Sequence, residues 1–150
     1  MAWVSPTSFF DPDSKWADEA LIYDGDTATP GVISSAGFYV ELLLPSAILC
    51  DKVRIYAAKF QAPFFYDPNI AIDVFYGVGW NNIWDGTTTK QTWVEKAIGS
   101  NETVVKARIK FNSTGTVGFL YEFEFNEVIL LGIARPKVGG SLAAGKRGLA

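Results

Sequence analysis

Val104-Val105-Lys106-Ala107-Arg108-Ile109-Lys110-Phe111 alternates, from Val105 onward, between apolar and cationic side chains. Val105, Ala107, Ile109 and Phe111 fall on one side of an extended chain; Lys106, Arg108 and Lys110 fall on the other. A period of two marks a β-strand with one buried and one wet face. The pattern recurs on both sides of this stretch. Residues 119–125 set Phe119, Tyr121, Phe123 and Phe125 inward against Glu122 and Glu124 outward, and Ile70, Ile72, Val74 and Tyr76 line one face of an earlier run. Phe38 to Leu44 and Val53 to Tyr56 predict two more strands. Val128 to Ile133 is apolar on both faces, which predicts a central strand or one covered by a partner.

Between the runs lie turn formers: Asp24-Gly25, Pro30-Gly31, Asp67-Pro68-Asn69, Gly77-Val78-Gly79, Asp85-Gly86 and Asn112 to Gly118. Closely spaced strands with such turns, and no competing amphipathic helix, predict an all-β antiparallel sandwich or jelly roll over residues 1–135. Residues 136–150, from Pro136 to Ala150, are rich in Gly and Ala and carry no core pattern. Such a tail is disordered alone in water and gains order by docking on a partner.

Composition narrows the chemistry. The chain of 150 residues is 49% hydrophobic and 19% charged, enough for one sizeable core and incompatible with a disordered chain. A formal charge of -3 argues against nucleic acid as a partner. Cys50 is alone, so no internal disulfide forms, and the absence of histidine removes His-based triads, His general bases and most zinc and iron sites. Met1-Ala2-Trp3-Val4-Ser5-Pro6 has neither the basic start nor the apolar run of a secretory signal. No apolar stretch approaches the ~20 residues of a membrane helix, so membrane insertion is not expected.

The order of motifs adds a resemblance. Trp16-Ala17-Asp18-Glu19-Ala20 leads to Tyr23-Asp24-Gly25-Asp26-Thr27-Ala28-Thr29, then to Phe38-Tyr39-Val40-Glu41-Leu42 and Val53-Arg54-Ile55-Tyr56. Ile72-Asp73-Val74-Phe75-Tyr76 with Trp80, Ala107-Arg108-Ile109 and Leu120-Tyr121-Glu122 follow. Over residues 16–127 this resembles the discoidin, or coagulation factor 5/8 type C, family of galactose-binding-like sandwiches. Phe38 stands where that family has Trp, and its terminal cysteine pair is missing.

Three groups of residues are candidate sites. The Asp24 to Thr29 loop offers carboxylates, a hydroxyl and carbonyls, hard oxygen ligands that suit Ca²⁺. The resemblance implies a structural Ca²⁺ held by Asp24, Asp26, Thr29 and Glu122, with Glu127 as the alternative closing glutamate; the bland reading is an Asx turn without metal. Phe64, Phe65 and Tyr66, with Trp80 and Trp84, are expected in loops, where they would stack on sugar or anchor a protein interface; the bland reading has them capping the core. Glu122 and Glu124 share a strand face as a catalytic pair would, but a solvated ladder with Lys106, Arg108 and Lys110 is the preferred reading.

The chain is thus expected to bind rather than catalyse. One expectation is a structural subunit among other protein subunits of a bacteriophage virion, in the tail or as a capsid accessory. The alternative is a carbohydrate-binding, lectin-like module that recognises cell-surface glycan.

Overall fold

A computed structural model describes residues 2–130. The chain forms β1 (Ala2–Val4), β2 (Ser8–Phe10), β3 (Trp16–Ala17), a 3₁₀ turn (Glu19–Tyr23), β4 (Gly31–Ile33) and β5 (Val40–Gln61). It continues through β6 (Phe64–Tyr66), β7 (Asn69–Tyr76), β8 (Gly79–Thr87), β9 (Val94–Ser113) and β10 (Val117–Glu127). No helix among the described residues is long and apolar enough to cross a membrane.

Strands pair antiparallel in the order β3-β4-β10-β5-β9-β7-β8, with β1 on β10 and β2 and β6 on β5. Two long strands turn this into a sandwich. The stretches expected at Phe38–Leu44 and Val53–Tyr56 belong to one strand, β5, which bends at exposed Pro45-Ser46-Ala47. Proline has no N–H to give a ladder, and pairing with β9 lapses there between Leu43 and Ile48. The first part of β5 lies in a front layer with β2, β7, β8 and the end of β9. Its remainder lies in a back layer with β1, β3, β4, β6, β10 and the start of β9.

Val40, Leu42, Val53, Ile55, Ile72, Val74, Ile109, Phe111, Phe123 and Phe125 fill the space between the layers. Trp16 joins them at 6.0 Å from Phe111, its indole N–H satisfied by the Phe38 carbonyl at 3.0 Å. This answers the usual difficulty of burying tryptophan.

Two expectations about phase are corrected. A register shift between Leu120 and Glu122 makes Tyr121 an extra residue opposite β5. Leu120, Phe123 and Phe125 therefore enter the core, while Phe119 and Tyr121 sit with Tyr56 outside it. Val128 to Leu130 are not strand; the Val128 N–H donates to the Leu49 carbonyl, and Ile129 and Leu130 are exposed. Residues 131–133 of that expected strand, and the 136–150 tail, lie outside the described residues.

Candidate functional site

The acidic loop folds onto the back layer. Asp24 Oδ1 accepts the Asp26 N–H at 2.9 Å, Asp26 Oδ1 accepts the Ala28 N–H at 2.8 Å, and the Thr29 hydroxyl donates to Asp24 Oδ2. These are the Asx turns of the bland reading. The loop then reaches β10, where Glu122 Oε2 accepts the Gly25 N–H at 3.1 Å. Glu122 is 1% exposed, and its Oε1 is buried without a geometric hydrogen-bond partner among the described residues. Glu127 is instead in register with Ala2 and Cys50 at the far end of β10.

Burial, followed by the hydrogen bond and charge of Asp24, pushes the Glu122 carboxyl up to about 8. At Asp24, burial would raise the pKa, but hydrogen bonds with Thr29, Glu122 and the backbone prevail and lower it. A proton held by Glu122 and shared toward Asp24 accounts for both shifts and gives the otherwise unpartnered Glu122 oxygen its hydrogen bond. The donor set fits a hard cation: two carboxylates, the Thr29 hydroxyl and backbone carbonyls. Asp26 caps Ala28 through Oδ1, and its carbonyl accepts from the Thr29 hydroxyl at 3.3 Å. Among the described residues no group of three or more His, Cys, Asp or Glu is placed to hold a metal ion, so the loop offers two carboxylates and needs neutral oxygens to complete any cation shell.

The five aromatic candidates are not one site. Phe64 and Tyr66, 62% and 44% exposed, project from β6 in the hairpin with β5, their rings 6.5 Å apart. Phe65 turns the other way onto Phe60, at 5.0 Å, and Phe119, at 6.0 Å. Strand alternation resolves how three consecutive bulky residues are accommodated. Trp80 and Trp84 lie on β8 rather than in loops. Trp80 meets Phe75 at 5.3 Å on the outer face of the front layer. Trp84 packs against the core, its Nε1 buried and its ring covered by the Lys96 ammonium at 3.2 Å, so it offers no free stacking face.

The expected ladder between Glu122/Glu124 and Lys106/Arg108/Lys110 does not form, because the two sets lie on different layers. Glu124 pairs with Arg54, Arg108 with Asp73 at 2.9 Å, and Lys106 with Glu41 at 3.8 Å. Arg54 and Arg108 are each held between two aromatic rings; sequence named Arg108 only as part of the charge ladder and Arg54 for no site. The interleaving of cations and aromatics across strands appears only once the register is known.

No family model matches the chain, and no curated protein matches it. Solved structures do. The CBM32 module of AlyQ, in complex with 4,5-unsaturated mannuronic acid, is 17% identical with a TM-score of 0.64, over 85% of this chain and 100% of that one. A pectin-binding carbohydrate-binding module is 15% identical, TM-score 0.63, over 84% and 94%. The Streptococcus pneumoniae fucose-binding module SpX-3 is 14% identical, TM-score 0.62, over 86% and 100%. At identities this low the likeness shows the fold alone: an antiparallel β-sandwich like that of these carbohydrate-binding modules.

Proposed function

We propose that this chain is a non-catalytic carbohydrate-binding module whose hairpin aromatics Phe64 and Tyr66 meet the sugar. The carrying observation is the match of nearly the whole described sandwich to solved carbohydrate-binding modules, covered over most or all of their own length. Phe64 and Tyr66 support it, since they are large aromatics left open to solvent and fit to stack on sugar C–H faces. The virion reading draws no support from the matched structures, and the tail that motivated it lies outside the described residues.

We propose further that Asp24, Thr29, Glu122 and the Asp26 carbonyl hold a structural Ca²⁺. Bound there, the ion would neutralise the carboxyl pair and fasten the loop to β10. Asp24 and Thr29 pre-order the loop, and the Gly25 N–H fixes the Glu122 carboxylate.

A glycan microarray tests the binding reading. A defined set of bound glycans is expected, with binding lost when Phe64 and Tyr66 are both replaced by Ala. An empty array would end the reading; full retention in the double variant would move the site elsewhere.

A further inference from the structure

The outer face of the front layer is built differently from an ordinary solvated sheet. Phe10, Glu41, Arg108, Asp73 and Asn82 stand in register across five strands. The next row holds Leu43, Lys106, Phe75 and Trp80. On the other side of the polar row lie Tyr39 and Lys110, with the Lys110 ammonium 5.1 Å from the Tyr39 ring centroid. A polar strip therefore runs between two aromatic margins.

Arg108 is the centre of that strip. Its guanidinium lies 4.1 Å from the Tyr39 ring centroid and 4.4 Å from that of Trp80. Its Nε donates to Asp73 Oδ2 at 2.9 Å, and Asp73, 5% exposed, is fixed from the other side by the Asn82 amide at 2.9 Å. The terminal nitrogens of Arg108 make no hydrogen bond to a described residue, and its side chain is 26% exposed. A planar guanidinium fixed at one edge and open at the other is pre-organised for a carboxylate.

Glu41 and Asp73 are engaged by Lys106 and Arg108, and Lys110 makes no salt bridge to a described residue. Asp85 shares the row of Lys110 across Ala71 and accepts from the Asn112 amide, so cations and carboxylates balance on this face and the open edge of Arg108 is the feature that favours an acid. Aromatic walls suit the C–H faces of a pyranose, Asn82 suits hydroxyls, and the terminal nitrogens of Arg108 with the nearby Lys110 ammonium suit an acid group.

We propose that this face is a second glycan contact, selective for chains that carry uronate carboxylates, with Arg108 receiving the carboxylate and Trp80 and Tyr39 flanking the ring. The proposal rests on the carbohydrate-binding reading above but concerns a different surface from the Phe64–Tyr66 hairpin. Lys110 adds a longer-range attraction that salt should weaken.

Titration calorimetry with polygalacturonate, its methyl ester and a neutral galactan tests it. Polygalacturonate should bind roughly tenfold or more tightly than the ester, the scale of a charge-assisted hydrogen bond. Arg108→Lys and Trp80→Ala should each remove most of that preference. Lys110→Gln, which breaks no ion pair, should weaken polygalacturonate severalfold at low salt with the melting temperature unchanged. Phe64→Ala with Tyr66→Ala should leave the acidic preference in place. Binding of galactan and ester with no acidic preference, or a preference untouched by Arg108→Lys and Lys110→Gln, overturns the second site while the carbohydrate-binding reading stands. Failure of every glycan overturns both.

Discussion

Both outer faces of the sandwich hold an arginine between two aromatic rings, yet the two clamps are finished differently. On the back face, Arg54 lies 4.5 Å from the Trp3 ring centroid and 4.0 Å from that of Trp93, and both its Nε and a terminal nitrogen go to Glu124 Oε1. Trp3 belongs to β1, so this clamp holds the first strand against the sheet. On the front face Arg108 has the same aromatic flanks but gives Asp73 only its Nε. The Arg54 guanidinium is spent on Glu124, whereas the terminal nitrogens of Arg108 make no hydrogen bond to a described residue. Changes on the back should therefore appear first in stability, and changes on the front first in binding.

Glu122 gives the largest test, as the back-face carboxyl with no cation of its own. With its pKa raised to about 8 from an ordinary 4.5, the folded state keeps a proton that the unfolded state releases between those values. Its contribution is fully present below pH 4.5 and is lost as pH rises to about 8, on the order of 5 kcal/mol at most in metal-free protein. Asp24, lowered from 3.8, acts in the opposite sense but only below that window. Thermal melts in EDTA should show stability falling from pH 5 to pH 8, and Ca²⁺ should restore it most at pH 8, where protons compete least. Glu122→Gln should flatten the slope and abolish the Ca²⁺ response. A flat profile in the parent protein would mean that the back face is not sealed as described.

The arginines come next. Arg54→Ala removes two hydrogen bonds to a carboxylate and the filling between two indoles, and should cost about 2–3 kcal/mol by urea denaturation. Arg108→Ala should cost about 1 kcal/mol, because Asp73 retains Asn82 as a donor. Equal losses would break the contrast between the faces. A larger gap, with Arg108→Ala nearly neutral, would sharpen it.

The same contrast explains how far the sequence could be read. Alternation from Val105 to Phe111 identified the strand because Ala107, Ile109 and Phe111 face one common core. It could not show that Arg108 meets Glu41 and Asp73, since those neighbours come from distant strands brought in by register. The bulge at Tyr121 carries no composition signal, so period two placed Phe119 and Tyr121 on the wrong side. That the Asp24–Thr29 loop meets Glu122 was implied by motif order, a record of the whole fold, whereas local chemistry alone gave only the loop. The hairpin was recognised for its three bulky residues, but its short strand depended on pairing with Lys59 and Gln61.

Trp80 and Trp84, four residues apart on one strand, bring the contrast to its smallest scale. Both have cations over their rings, but Lys96 caps a tryptophan packed against the core, whereas Arg108 and Lys106 flank one on the outer face. Lys96→Met keeps most of the apolar cover on Trp84 and removes the charge, so it should cost only about 0.5–1 kcal/mol, the range of one cation–π contact. Because Trp84 already has its Nε1 buried without a partner, a neutral cover creates no new unmet donor. Polygalacturonate affinity should be unchanged in this variant, since Lys96 lies outside the Arg108 row. A drop in that affinity as large as for Lys110→Gln would show that the cations act through overall charge, and the distinction between a closed and an open face would lose its basis.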